Sequence, residues 1–219
     1  KEIINEATSI LNTIAYTPNP ININIESKEY NDNNILGEAE ITTNTISLNA
    51  NIINISNYYL NKKSYKLGTI VLIHELLHIM GVGNTNNANW NKYYNSDNFT
   101  YGSVESNGVK QYNNFLQNYN IKYKDVSYNE VPIENNIGPG SDGAHLEEGL
   151  KLVNEIYKPD NISYHVIPEE IMTPIININN YLTIITLGIL QDLGYTVNYN
   201  SNNVFNHLLD NSSVTILEP

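Results

Sequence analysis

The chain has 219 residues, with 23 acidic residues set against 11 lysines, no arginine, no cysteine and a formal charge of −12. That length supports one domain of ordinary size, or two lobes sharing a cleft, with a core large enough to need no covalent staple. The charge argues against nucleic acid and anionic membrane surfaces as partners, the missing thiols exclude disulfides, and no apolar run is long enough to span a bilayer.

In chain order, residues 2–13 place Ile3, Ile4, Ala7, Ile10 and Leu11 at a helical period. Residues 21–25 alternate strictly and predict a half-buried strand. A further strand is expected to start near Ala39, and another over residues 45–50, where Ile46 and Leu48 alternate with polar neighbours. Residues 67–80 are apolar on most sides and predict a buried helix, with Thr69 as its N-cap and Gly81 as its stop. Beyond Gly83 the pattern loosens into a polar, tyrosine-dotted loop over residues 84–98. A short helix is expected over residues 108–116. The run Gly138-Pro139-Gly140-Ser141-Asp142-Gly143 is irregular loop. The last helix is predicted over residues 184–193, capped by Thr183 and stopped by Gly194. The expected class is α+β: a small twisted mixed sheet with one functional helix over residues 1–81, then an irregular lobe over residues 82–219 that ends in a helix. Asn and Ile are in excess, as in residues 21–25 and 174–180, and this reads as the coding bias of an AT-rich genome.

The decisive segment is His74-Glu75-Leu76-Leu77-His78. Histidines four apart stack on one helix face, about 6 Å from each other, so both imidazoles reach one tetrahedral zinc ion. Glu75 leaves the same turn sideways, where a carboxylate can hold a water rather than the metal. Two uncompensated imidazoles and a carboxylate on an apolar helix would be costly without a shared partner. Zinc needs a third protein ligand and an open position. The remaining histidines are His145, after the glycine-rich loop, His165, in an alternating run, and His207, near the polar tail. Glu147 or Glu148 would also serve on chemistry alone.

The helix motif through Gly81 resembles that of the metzincin zinc peptidases, and within them the leishmanolysin-like family, whose third histidine lies far downstream. Gly143-Ala144-His145, 67 residues after His78, matches that position. Glu170-Ile171-Met172-Thr173 is similar to the family's Met-turn, in which a methionine floors the metal site. Residues 182–195 resemble the helix that follows it, and Leu36-Gly37-Glu38-Ala39 has an upstream counterpart. The resemblance spans roughly residues 35–197. It implies a metzincin-like fold, His74, His78 and His145 as zinc ligands, Glu75 as general base, Met172 as the Met-turn residue, and a protein or peptide substrate.

The resemblance also implies a peptide lying antiparallel to an edge strand. Residues 45–50, with Ile46 and Leu48, are expected to be that edge, and Val131, Pro132 and Ile133 divide evenly between pocket wall and plain core. Asp192 and Thr186 are expected to hold the last helix. Asp142 has the chemistry for calcium, but the spacing around it matches no calcium loop. The expected protein is a monomeric, secreted zinc metalloendopeptidase, any signal or pro-segment lying outside this chain. The alternatives are a zinc hydrolase acting on a non-protein amide and a non-catalytic zinc-containing binding protein.

Overall fold

The computed structural model describes residues 1–32, 34–205 and 214–219. Helix α1 (Glu2–Ile14) buries Ala7, Ile10, Leu11 and Ile14 along one stripe, as its period requires. The two-residue strand β1 (Ala15–Tyr16) follows it, then β2 (Asn24–Lys28), β3 (Gly37–Glu40) and β4 (Thr45–Asn49). These last three form a mixed sheet in the order β2-β4-β3, with β4 parallel to β2 and antiparallel to β3.

Two expectations are corrected here. The alternation of residues 21–25 does not become a strand over that span, since pairing begins only at Asn24 and runs on to Lys28. The strand expected at the sheet edge is instead its centre. β4 is paired on both sides, and Ile46 and Leu48 are buried beneath it in the core. The edges are β2 and β3.

A hairpin of β5 (Tyr58–Leu60) and β6 (Lys63–Tyr65) leads into α2 (Leu67–Ile79), whose thirteen residues are all buried. The cap is another correction. The helix starts at Leu67, and the N–H groups of Leu67 and Gly68 donate to the carbonyls of Ile55 and Ile53. Backbone of the preceding segment thus satisfies the first turn, and Thr69 is free to donate its hydroxyl to Glu6 at 2.6 Å. At the other end Met80 closes the helix, and Gly81, at φ +113°, turns the chain in a region that favours glycine.

The polar stretch that follows is more ordered than its composition suggests. It holds the short helix α3 (Ala88–Asn91), capped by Asn87 and burying Trp90, and then β7 (Tyr94–Asn95). β8 (Thr100–Tyr101) pairs with β7 and with β9 (Val131–Pro132), and between them lies α4 (Asn107–Tyr119). A hairpin of β10 (Leu150–Val153) and β11 (Ile156–Pro159) follows the glycine-rich loop. β12 (Asn179–Asn180) pairs parallel to β5, and α5 (Ile184–Asp192), capped by Thr183, precedes β13 (Thr196–Val197). The fold is α+β with several small sheets. One cluster of buried apolar side chains joins α1, α2, α4 and α5. Among the described residues, no helix is long and apolar enough to cross a membrane.

Candidate metal centre

The core positions the site by holding α2 still. His74 and His78 lie one turn apart on that helix, and both are buried. His145 arrives from the loop after Gly143, and its backbone is locked between two segments: Glu134 N–H donates to the His145 carbonyl, and Leu146 N–H donates to the Met172 carbonyl. The three Nε2 atoms converge at mutual distances of 3.0, 3.1 and 3.1 Å.

Each ring's other nitrogen fixes its tautomer. Nδ1 of His74 lies 2.7 Å from the Ile171 carbonyl, Nδ1 of His78 2.9 Å from that of Val82, and Nδ1 of His145 3.0 Å from that of Ser141. A carbonyl can only accept, so all three Nδ1 atoms carry the proton and all three Nε2 atoms present lone pairs. Three lone pairs aimed at one point repel unless a cation sits there. Protons do not serve: burial and the neighbouring imidazoles push His74 down to about 3 and His145 well below the usual histidine range, and burial lowers His78. Nε2 of His74, His78 and His145 would hold a divalent metal ion, which would supply Lewis acidity there. The residues fit such an ion, and these three histidines are close enough to bind one.

Glu75 stands beside them, 7% exposed, with no hydrogen-bond partner among the described residues. Burial, and then the charge of Glu38, raise its pKa to about 8. A cation at the histidines would oppose that rise. Glu75 and the three imidazoles open into one cleft of about 1060 Å³. Its lining includes the edge strand β3 together with Pro139 to Ser141, Tyr157, and Pro174 to Ile176. Gly37 lets β3 come close, because a Cβ there would sit 2.7 Å from Val71 Cγ1 and 3.3 Å from Glu75 Oε1.

Other anticipated residues fall elsewhere. Met172 is fully buried, and its neighbour Ile171 holds His74. Val131, Pro132 and Ile133 are buried in the core behind the third histidine and do not line the cleft; Ile133 bridges to Leu146. Ile46 and Leu48 are likewise core residues and touch no part of the cleft. His165 is bound to the Tyr128 hydroxyl at 2.6 Å and lies outside the histidine group, whereas His207 lies outside the described residues. Glu147 and Glu148 accept from Gly149 N–H and Ile175 N–H rather than joining the histidines. Asp142 accepts from the N–H groups of Ile137 and Gly138 and closes the glycine-rich loop. The apolar run Pro174-Ile175-Ile176, which lines the cleft, sits in the segment whose composition suggested coding bias alone.

Comparison with protein-family models, with curated proteins and with solved structures found no match.

Proposed function

We propose that the protein is a zinc-dependent endopeptidase of metzincin type, similar to the leishmanolysin-like family. One observation carries the reading: three tautomer-fixed imidazoles aim lone pairs at a common point, with an unpartnered glutamate beside them at the floor of an open cleft. Three neutral imidazoles with a free fourth position suit zinc in a catalytic rather than a structural role, since a structural site closes that position. When bound, such an ion supplies Lewis acidity toward a carbonyl and acidifies water in its open position.

The chain's own groups do the rest. Glu75 takes a proton from the attacking water and returns it to the departing amine, a role for which a buried carboxylate of raised basicity is suited. The Ile171, Val82 and Ser141 carbonyls keep the three Nε2 atoms unprotonated and oriented. The peptide lies extended along the free edge of β3, antiparallel to it, so its main chain is held by strand hydrogen bonds and many sequences are accepted. Side chains directed inward meet Pro174, Ile175 and Ile176, which take the pocket-lining part considered for residues 131–133.

The test pairs metal content with cleavage of quenched peptides for wild type and Glu75→Gln. The expected result is one zinc per chain in both proteins, with cleavage lost on chelation and reduced by about 10²–10⁴-fold or more in the variant. Wild-type turnover in Glu75→Gln would defeat the assigned base. Zinc binding without cleavage of any peptide would turn the assignment toward a non-protein amide or a binding role.

A further inference from the structure

Apart from Glu75, the charged side chains lining the cleft all come from β2 and β3 and stand on one face of that sheet. Along β3, Gly37 and Ala39 pair with Leu48 and Ile46, which are buried in the core, so these positions face inward toward α2. Glu38 and Glu40 pair with Ser47 and Thr45 and therefore stand on the outer face. Glu26 of β2 is on that face too, paired with Ser47 and accepting its hydroxyl at 2.7 Å. Glu26, Glu38 and Glu40 all line the cleft, against a single cation, Lys28; Glu38 Oε2 accepts from the Tyr30 hydroxyl at 2.7 Å and from Lys28 Nζ at 3.4 Å, while its Oε1 has no partner among the described residues. Glu40 Oε1 accepts from the Thr42 N–H and hydroxyl, while its Oε2 has no partner among the described residues. The lining residues supplied by later segments, Pro139 to Ser141, Tyr157 and Pro174 to Ile176, carry no charge. Independently of these carboxylates, Glu75, more than nine-tenths buried and with no side-chain hydrogen bond among the described residues, opens into the same cleft.

A strand added to β3 alternates its side chains between these two environments. Residues on the outer face come opposite Glu38 and Glu40 at cross-strand distance, roughly 4.5–5.5 Å between Cβ atoms. Residues between them point inward to the apolar wall. We propose that the substrate is a cationic peptide with Lys or Arg at two alternate positions, the cations paired with Glu38 and Glu40 and the intervening side chain apolar. The inference deepens the peptidase reading and rests on it. It assigns Glu38 and Glu40 to substrate selection and leaves Glu75 and the histidines to catalysis. An acidic surface would also draw such peptides in from a distance, at low salt.

The experiment uses three matched quenched peptides with one apolar residue between two variable positions occupied by Lys, Gln or Glu. In the zinc-loaded wild type, kcat/KM should fall in the order Lys, Gln, Glu, with about tenfold or more between the extremes at low ionic strength. The spread should shrink when salt brings the Debye length to about 3 Å. In Glu38→Gln/Glu40→Gln, the Lys-to-Gln ratio within that protein should approach one. Equal cleavage of all three peptides by wild type, or a preference that survives in the double variant, would overturn the inference. Anisotropy with labelled, uncleaved peptides on zinc-loaded Glu75→Gln separates the two readings. Tighter binding of the Lys peptide there, without turnover of any peptide by wild type, would uphold the charge inference and remove the peptidase. Equal binding of Lys and Glu peptides would remove the charge inference whatever the wild type cleaves.

Discussion

At position 83 a single methyl group would be enough to push the third histidine off its mark. Gly83 has φ +70°, and a Cβ built on it falls 2.0 Å from the carbonyl oxygen of Ala144, the residue before His145. The preceding carbonyl, that of Val82, is the one that fixes His78. Gly83→Ala therefore strains the left-handed backbone and drives the two ligand segments apart at once. Zinc affinity is expected to drop by about 10–100-fold, the usual cost of disturbing the groups behind a ligand. Chelator competition measures this, and an unchanged zinc affinity would show that the 83–144 approach is immaterial. His145→Ala should weaken binding further and abolish cleavage with it. The contrast marks what residues reveal by themselves. His74, Glu75 and His78 were readable from spacing along one helix, because 3.6 residues per turn puts them together. Gly83 was not, since its need for no side chain comes from a segment some sixty residues further on, and nothing local announces it.

At the scale of elements, the site depends on how the turn Glu170-Ile171-Met172-Thr173 is tied to α5. The buried carboxylate of Glu170 accepts from Met172 N–H at 2.6 Å, Thr186 hydroxyl at 2.7 Å, Thr183 hydroxyl at 3.0 Å and Thr183 N–H at 3.2 Å. Between Glu170 and Met172 sits the carbonyl that orients His74. Glu170→Ala strands several buried donors, and is expected to cost about 3–5 kcal/mol of stability and to loosen zinc. Glu170→Gln, which keeps one carbonyl acceptor, should cost less. Urea unfolding of the metal-free proteins gives the first effect and chelator competition the second; equal losses for Ala and Gln would contradict this hydrogen-bond account. Sequence served well for this element: Thr183 and Gly194 bounded the helix, and Thr186 and Asp192 were expected to hold it. Thr186 grips Glu170, and Asp192 accepts from the N–H groups of Asn107 and Gly108 at the start of α4. It served poorly for the sheet. Alternation in residues 45–50 tells which side chains are buried, but not which neighbours flank the strand, so a central strand was taken for an edge. The short polar elements α3 and β7 were missed for a related reason, because one buried Trp90 and an Asn cap leave little periodic signal.

For the molecule as a whole, the same chemistry that builds the site sets a pH limit on the fold. Behind His145 lies a group of buried carboxylates. Burial raises Glu148 to about 8, with Glu134 and Glu147 adding repulsion against the N–H of Ile175, and burial plus Glu134 raises Glu147 to about 7. Burial likewise raises Glu134. An unfolded chain loses these protons near the ordinary glutamate value of 4.5, while the folded one still holds them. Their stabilisation is therefore full below about 4.5 and is lost as pH rises through the folded values, at up to about 1.4 kcal/mol per pH unit for each group. The net charge of −12 adds long-range repulsion over the same range. The two causes separate experimentally, because salt screens the second and reaches the first only weakly. Metal-free protein should lose thermal stability steadily between pH 5 and pH 9, as about 0.5 M salt restores only part of the loss. Glu148→Gln should restore more of it, since the amide is the shape of the neutral acid and keeps an acceptor for the Ile175 N–H that anchors the apolar cleft wall. A melting temperature that stays level from pH 5 to pH 8, or one that falls more steeply in Glu148→Gln, would mean that these carboxylates are solvated in the native protein and that Ile175 is held in the wall by other contacts.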